Sequence, residues 1–317
     1  MEADNAVPAG PCLGGIADTV WLVVANPVSG GGKGERDRAA IETALRSAAV
    51  NFKFIVSEYH GHAIELVAQA VRQGCRRVLA VGGDGTVNEC VNGIFQQQAV
   101  APDQVLLAVL PIGTGNDWAR THFLCGDYGV VARRLNATTP RRHDVGRVHF
   151  ADGGSRYFVN VAGIGFDAHV VAAMPERKPG PIAYLLALLR GLIKFRAVAV
   201  TLALPAERIE ERAFVLFFAI GRFCGGGMKV APQAATDDGL FDITLVAELS
   251  RWEVLCNLRR LFDGSLLTHP KVTSRRAVGG EVLAEAAQPI EADGELIGHA
   301  PARFEMLAGA LCVLVAD

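Results

Sequence analysis

The sequence predicts an α/β N-terminal region built on a parallel sheet, followed by a β-rich region folded as an antiparallel sandwich. Three observations carry this reading. Apolar runs alternate with helix-spaced segments up to about Pro140. Short β-branched and aromatic runs, separated by turn residues, dominate from Arg141 onward. Three glycine-rich loops each follow a strand of the first region, where ligands of parallel sheets bind.

Each element has its own signal. Trp21 to Ala25 is an apolar run ending at Asn26-Pro27, as a buried strand should. Glu35 to Val50 carries Ala40, Ile41, Leu45 and Ala48 at helical spacing. Phe52 to Val56 is aromatic and β-branched, hence a strand. His62 to Arg72 places Ile64, Val67, Ala68 and Val71 on one helix face. Val78 to Val81 reads as a strand, Val87 to Phe95 as a helix and Val105 to Leu110 as a strand. In the second region the strands are Val145 to Phe150, Tyr157 to Val161, Val198 to Leu204, Phe214 to Ile220, Phe241 to Val246 and Ala310 to Val315. Two helices interrupt them, one over Pro181 to Phe195. The other starts at Ser250, where Ser250 and Glu253 have capping-box spacing ahead of Val254, Leu255, Leu258 and Leu261.

Composition bounds the function. The 317 residues are 50% hydrophobic and 20% charged, which excludes a disordered chain and supplies enough apolar surface for two cores. Basic and acidic residues number 31 and 33, so the net charge of −2 gives no footprint for nucleic acid. The seven cysteines are odd in number and never form C-x-x-C, so no disulfide framework or zinc cluster is expected and a reducing cytoplasm is the default. No run reaches the length of a membrane-spanning helix. Met1 to Asp18 has Glu2 and Asp4 but no Lys or Arg, unlike a signal peptide. The expected division is a loose extension over 1–19, a nucleotide-binding region over 20–140 and a β-rich region over 141–317.

The loops carry the chemistry. Asn26-Pro27-Val28-Ser29-Gly30-Gly31-Gly32-Lys33-Gly34 presents successive backbone N–H groups ahead of a helix, an arrangement suited to an anion or to a plain glycine turn. It is neither a Walker A loop nor a dinucleotide fingerprint, because Lys33 precedes Gly34 and the glycine spacing differs. Gly82-Gly83-Asp84-Gly85-Thr86, with Asn88 and Glu89 behind it, sets one carboxylate among residues without bulk. That suits a phosphate-bound metal or a ribose hydroxyl, while Thr86 could cap the helix. Pro111-Ile112-Gly113-Thr114-Gly115-Asn116-Asp117 is the third. Three such loops on one sheet edge describe a nucleotide or polyphosphate cleft.

These motifs, with Asn160 to Asp167, Lys229 to Asp242 and Asp293-Gly294-Glu295, resemble the diacylglycerol kinase catalytic family, bacterial lipid kinases that also include relatives of sphingosine and ceramide kinases. The resemblance covers nearly the whole chain after residue 19. GGDGT alone is shared with NAD kinases, and 6-phosphofructokinases have a near relative, so the first region is expected to have that fold.

The resemblance implies ATP-dependent phosphorylation of a hydroxyl of diacylglycerol or a related lipid, in a cleft between the two regions. ATP contacts are then expected from Asn26, Pro27, Val28, Ser29, Gly30, Gly82, Gly83, Asp84, Gly85, Thr86, Asn88, Glu89 and Thr114. Ser57, ahead of Gly61-His62-Ala63, stands where the family has a hydroxyl residue, usually Thr. Trp118 stands where Phe is common. Asp84 is expected to help hold the Mg²⁺ bound with ATP. A second Mg²⁺ is implied at Ala235 (carbonyl), Asp238 and Leu240 (carbonyl), few ligands as Mg²⁺ prefers. Asp293 and Glu295 are the candidates to accept the hydroxyl proton, Asp293 slightly ahead. Without the resemblance, Asp293-Gly294 would read as an ordinary hairpin turn.

The alternatives are an NAD kinase-like enzyme and a nucleotide-binding regulator without catalysis. The start of the first loop and the DDGLFD segment count against the former, and retention of Asp84, Asp293 and Glu295 against the latter. The expected partners are ATP and a lipid substrate at a membrane surface, with the protein cytoplasmic and peripherally membrane-associating. The oligomeric state stays open, a homodimer included. Ile182 to Arg196 joins an apolar stretch to Arg190, Lys194 and Arg196, which suits a membrane surface but also a core helix. His60 and His62 flank Gly61 with no third ligand nearby in sequence, so a solvated loop is expected there rather than a metal site.

Overall fold

A computed structural model of the protein describes residues 20–124, 127–137, 139–173, 191–192, 194–284 and 286–315. Four strands form a parallel set: β1 (Trp21–Ala25), β2 (Phe52–Val56), β3 (Arg77–Gly82) and β4 (Leu106–Pro111), in spatial order β4-β3-β1-β2. Their register aligns Ala25 with Val56 and Val81, and Gly82 with Pro111, so all four strands end at one edge. Helices cover both faces: α1 (Ser29–Arg36), α2 (Arg38–Ser47), α3 (His62–Arg72), α4 (Asp84–Gln96), α5 (Asp117–Thr121) and α6 (Tyr128–Ala137). That two-sided cover explains why β1, β3 and β4 are apolar without alternation.

The second region is antiparallel. Its strands are β5 (Arg141–Phe150), β6 (Ser155–Phe158), β7 (Val161–Gly165), β8 (Val198–Ala203), β9 (Arg208–Ala219), β10 (Phe223–Cys224), β11 (Met228–Lys229), β12 (Phe241–Ala247), β13 (Val272–Ala277), β14 (Gly279–Ala284), β15 (Pro289–Ala292), β16 (Glu295–His299) and β17 (Ala302–Leu314), with the helix α7 (Phe166–Ala172) after β7. Phe158, Phe218, Phe241 and Phe304 interlock in its core, with Phe218 stacked on Phe304 at 3.9 Å between centroids.

Three sequence expectations change. The helix over Glu35 to Val50 is two helices broken at Asp37, whose carboxylate accepts a hydrogen bond from the Tyr128 hydroxyl at 2.6 Å. The strand over Tyr157 to Val161 breaks between β6 and β7, because Val159, Asn160 and Val161 turn their N–H groups onto Asp293. The division near Pro140 does not separate the sheets. β17 runs antiparallel to β5 and then continues parallel to β4, with Cys312 opposite Leu106. Leu311, Val313 and Val315 are buried in the first region's core, so the last strand belongs to both regions. The segment 174–181 and most of the Pro181 to Phe195 helix lie outside the described residues.

Candidate active site

The three glycine loops meet at the carboxyl edge of the parallel strands. Gly30, Gly31 and Gly32 have φ of 60°, 68° and 89°, a left-handed run that only glycine adopts readily. A Cβ on Gly30 would lie 2.0 Å from the Ile112 carbonyl oxygen, and one on Gly113 would lie 2.5 Å from Gly83 Cα. The first and third loops, and the second and third, are therefore in backbone contact. Asn26 shapes the first turn by accepting the Val28 N–H on Oδ1 at 3.1 Å, while Val28 itself is exposed.

Asp84 is not the bare carboxylate the sequence suggests. It is half-buried, and its two oxygens accept the N–H groups of Asp117 and Trp118 at 3.1 and 3.0 Å, tying the second loop to the start of α5. Asp117 in turn accepts the Gly226 N–H at 2.7 Å, which links this loop to the turn between β10 and β11. Trp118 is buried and donates from Nε1 to His143 Nε2 at 3.1 Å, a bond that Phe could not make. Burial pushes His143 down to about 4, so it stays a neutral acceptor. Thr86 does not cap α4. Its hydroxyl and Asn116 Oδ1 are buried without a partner among the described residues. Asp84→Ala should therefore lower stability by about 1 kcal/mol, as loss of a capping carboxylate does, and also loosen the third loop. The melting temperature and ATP affinity, measured together, check this. An unchanged melting temperature would contradict the bracing role.

Three other expected ATP contacts have protein partners of their own. Ser57 is buried and returns its hydroxyl to the Ala25 carbonyl at 3.4 Å. Asn88 is fully buried and donates to Asp293 Oδ2 at 2.9 Å and to the Tyr157 carbonyl at 3.0 Å. Asn92, one turn on, clips the same Tyr157 backbone. Glu89 accepts the Gly61 and Ala63 N–H groups at 3.0 and 3.1 Å, fixing the start of α3 to the second loop. Ser57 and Asn88 build the framework behind the cleft, while Glu89 also stands beside His60 and Glu295.

The two carboxylates of Asp293-Gly294-Glu295 diverge. Asp293 and Gly294 both have positive φ, 51° and 87°, in the tight turn between β15 and β16. Asp293 points inward. Oδ1 accepts the Asn160 and Val161 N–H groups, and Oδ2 accepts Asn88 Nδ2 and the Val159 N–H, all within 2.9–3.2 Å. Burial still outweighs these donors and pushes its carboxyl up to about 6. Glu295 reaches the other way, and a Cβ on Gly85 would lie 2.8 Å from its Oε1. The hairpin thus brings Glu295, not Asp293, against the second glycine loop.

The sequence reading missed a buried pair. Asp167, in the NVAGIGFD motif, faces Glu291. Both Asp167 oxygens and Glu291 Oε1 are buried without donors among the described residues, while Glu291 Oε2 accepts the Gly294 N–H at 2.9 Å. Burial first, then mutual repulsion, raises Glu291 well above the usual range; burial pushes Asp167 up to about 7. A raised pKa stabilises the fold fully below the unfolded value near 4 and loses that stability as pH rises through the folded value. The melting temperature should therefore fall between about pH 5 and pH 8. Glu291→Gln, neutral throughout, should flatten that slope, and a pH series of melting curves on both proteins checks it.

Asp144, also missed, anchors the Ala235–Leu240 segment. It accepts the Gly239 and Gly309 N–H groups at 2.7 Å each, and its own N–H donates to the Thr236 carbonyl. Asp238 pairs with Arg276 and accepts the Leu240 N–H at 3.1 Å. Burial raises the Asp144 carboxyl, and Asp238 and Asp237 raise it further. Arg276 already neutralises Asp238, so a divalent cation at the expected Ala235, Asp238 and Leu240 would have to share or displace that pair.

Comparison with known proteins agrees with this architecture. Residues 20–148 match the diacylglycerol kinase catalytic domain, and residues 160–315 match the YegS C-terminal NAD kinase beta sandwich-like domain. The chain is 32% identical over 279 residues to "Probable lipid kinase YegS-like" of Chromohalobacter salexigens, covering 85% of each. It is 28% identical over 286 residues to a diacylglycerol kinase of Staphylococcus haemolyticus, covering 89% of this chain and 84% of the relative. The crystal structure of a diacylglycerol kinase from Bacillus anthracis str. Sterne shares the fold, with a TM-score of 0.71 at 20% identity over 94% of this chain and 97% of that one.

Proposed function

Because the chain belongs to the diacylglycerol kinase-like lipid kinase family, we propose that it transfers the γ-phosphate of ATP to a hydroxyl of diacylglycerol or a related lipid. The observation that carries this reading is the approach of the Glu295 carboxylate to Gly85 of the second glycine loop, which joins a proton acceptor to a phosphate-gripping edge. In the reaction the lipid oxygen bonds to the γ-phosphorus, the bond from that phosphorus to the bridging oxygen breaks, and ADP leaves. Glu295 accepts the hydroxyl proton and passes it to solvent. The three loops bind and orient the phosphates. Mg²⁺ would neutralise phosphate charge when bound, held near Asp84, and a second ion would brace Ala235, Asp238 and Leu240. Labelled ATP, offered with a panel of diacylglycerol, sphingoid base, ceramide and phosphatidylglycerol, tests the proposal. A labelled lipid product is expected, and transfer to NAD in its place would overturn it.

Such a substrate lies in a membrane, and no helix among the described residues is long and apolar enough to cross one. One exposed apolar face supports docking there. The capping box of Ser250 and Glu253 starts the helix Arg251–Asn257, and a second helix, Arg260–Asp263, follows. No residue of either is buried. Trp252 is 74% exposed and Phe262 56%, with Leu255 and Leu258 between them at helical spacing and the exposed Arg259 alongside. This mixture of large apolar and cationic groups fits a lipid surface. Trp252→Ala with Phe262→Ala should weaken sedimentation with phosphatidylglycerol vesicles about tenfold or more, since burying a large apolar side chain is worth ~1.5–3 kcal/mol. Unchanged sedimentation would remove this face from membrane contact.

A further inference from the structure

The histidine set aside for want of a third ligand gains two from distant parts of the chain. His60 lies on the loop after β2, Glu89 on α4, and Glu295 at the start of β16. His60 Nδ1 is 3.3 Å from Glu89 Oε1 and 3.8 Å from Glu295 Oε1, and the three ligating atoms all lie within 4.8 Å of one another. We propose that His60, Glu89 and Glu295 form a binding site for a first-row transition metal dication such as Zn²⁺.

Geometry comes first. Around a tetrahedral Zn²⁺ with ligand distances of about 2.0–2.2 Å, donor atoms stand roughly 3.4 Å apart. The two distances from His60 bracket that value and the two carboxylate oxygens stand within 4.8 Å of each other, so small side-chain rotations would complete the set. The chemistry matches as well. One imidazole with two carboxylates suits Zn²⁺ and its neighbours, whereas Mg²⁺ and Ca²⁺ favour all-oxygen sets. Rigidity is built in on one side. Both Glu89 oxygens accept backbone N–H groups at the start of α3, the kind of outer support that orients a ligating carboxylate. Access is built in on the other, because the His60 side chain is 73% exposed while those of Glu89 and Glu295 are 7% and 16% exposed. His62 is not part of the set: it accepts the Glu58 N–H on Nδ1 and stacks on Tyr59. The site lies apart from the Ala235–Leu240 segment, which Asp144 anchors.

Binding of the metal does not depend on the kinase reading, but its consequence does. Glu295 cannot ligate Zn²⁺ and accept a substrate proton at once, so an occupied site would hold the kinase inactive. The full-length protein is titrated with Zn²⁺ in millimolar Mg²⁺, by calorimetry and by competition with a chromogenic chelator. One ion per chain should bind, and His60→Ala should weaken that binding at least about tenfold. Glu295→Gln should weaken it similarly, and each variant's melting curve shows that it is folded. Co²⁺ in place of Zn²⁺ should give visible d–d absorption without a thiolate charge-transfer band, which separates this site from the cysteines. No binding, or binding unchanged in His60→Ala, would overturn the site and leave a plain histidine–carboxylate ion pair. Lipid phosphorylation is measured in parallel, with each protein referred to its own metal-free rate, and Zn²⁺ should inhibit the wild type more than His60→Ala. Binding that depends on His60 in a protein that phosphorylates no lipid would support the metal site and overturn the kinase reading instead.

Discussion

Glu295→Gln is expected to fold normally and to lose ~10²–10⁴ of kcat, the usual cost of removing a general base. The argument is positional. Glu295 is the carboxylate of the β15–β16 hairpin that faces the glycine loops, against Gly85, and it is partly open to the cleft. Glutamine keeps its volume and polarity but cannot take a proton from a lipid hydroxyl. Binding of ATP should persist, because the loops that would hold it do not use this side chain. Turnover with diacylglycerol, measured beside the melting temperature, decides the matter. A variant that retains most of its kcat would remove Glu295 from the base role.

Asp293→Asn, two residues away, should fail differently. The carboxylate gathers four N–H donors from α4 and from residues 159–161, where the strand is interrupted. A single amide oxygen can accept two of these at most, and the amide N–H₂ must face the others. With hydrogen bonds to a charged group worth ~1.5–3 kcal/mol each, the variant should lose roughly 3 kcal/mol or more. Protection of the Val159, Asn160 and Val161 amides in hydrogen exchange should fall with it. Turnover should drop as well, but through misplacement of the hairpin that carries Glu295. A variant of wild-type stability with abolished turnover would instead return Asp293 to the chemistry.

This split between neighbours marks where legibility ended. Asp-Gly-Glu was visible as a motif, and either carboxylate could be the base on chemistry alone. Which one turns inward depends on β7, α4 and β15 meeting at one point, contacts 132 to 205 residues apart in the chain. The same holds for Asp84, whose flanking glycines suggested an exposed group until the third loop supplied two N–H donors. Asp144 and Glu291 carry no pattern in sequence, because their roles consist of backbone groups donated from elsewhere. Asp167 stood inside a quoted motif, and its spacing said nothing of Glu291.

By itself the sequence determined the parallel set, its strand edges, the three glycine loops and the capping box, since each follows from local periodicity, turn conformation or a short-range hydrogen bond. The tertiary structure alone decided the break at Val159–Asn160, the continuation of β17 beside β4, the opposed directions of Asp293 and Glu295, and the meeting of His60 with two carboxylates. The physical reason is common to all four. Each depends on which distant segments the fold packs together, so a polar group or a strand takes its partner from that packing rather than from the residues beside it in the chain.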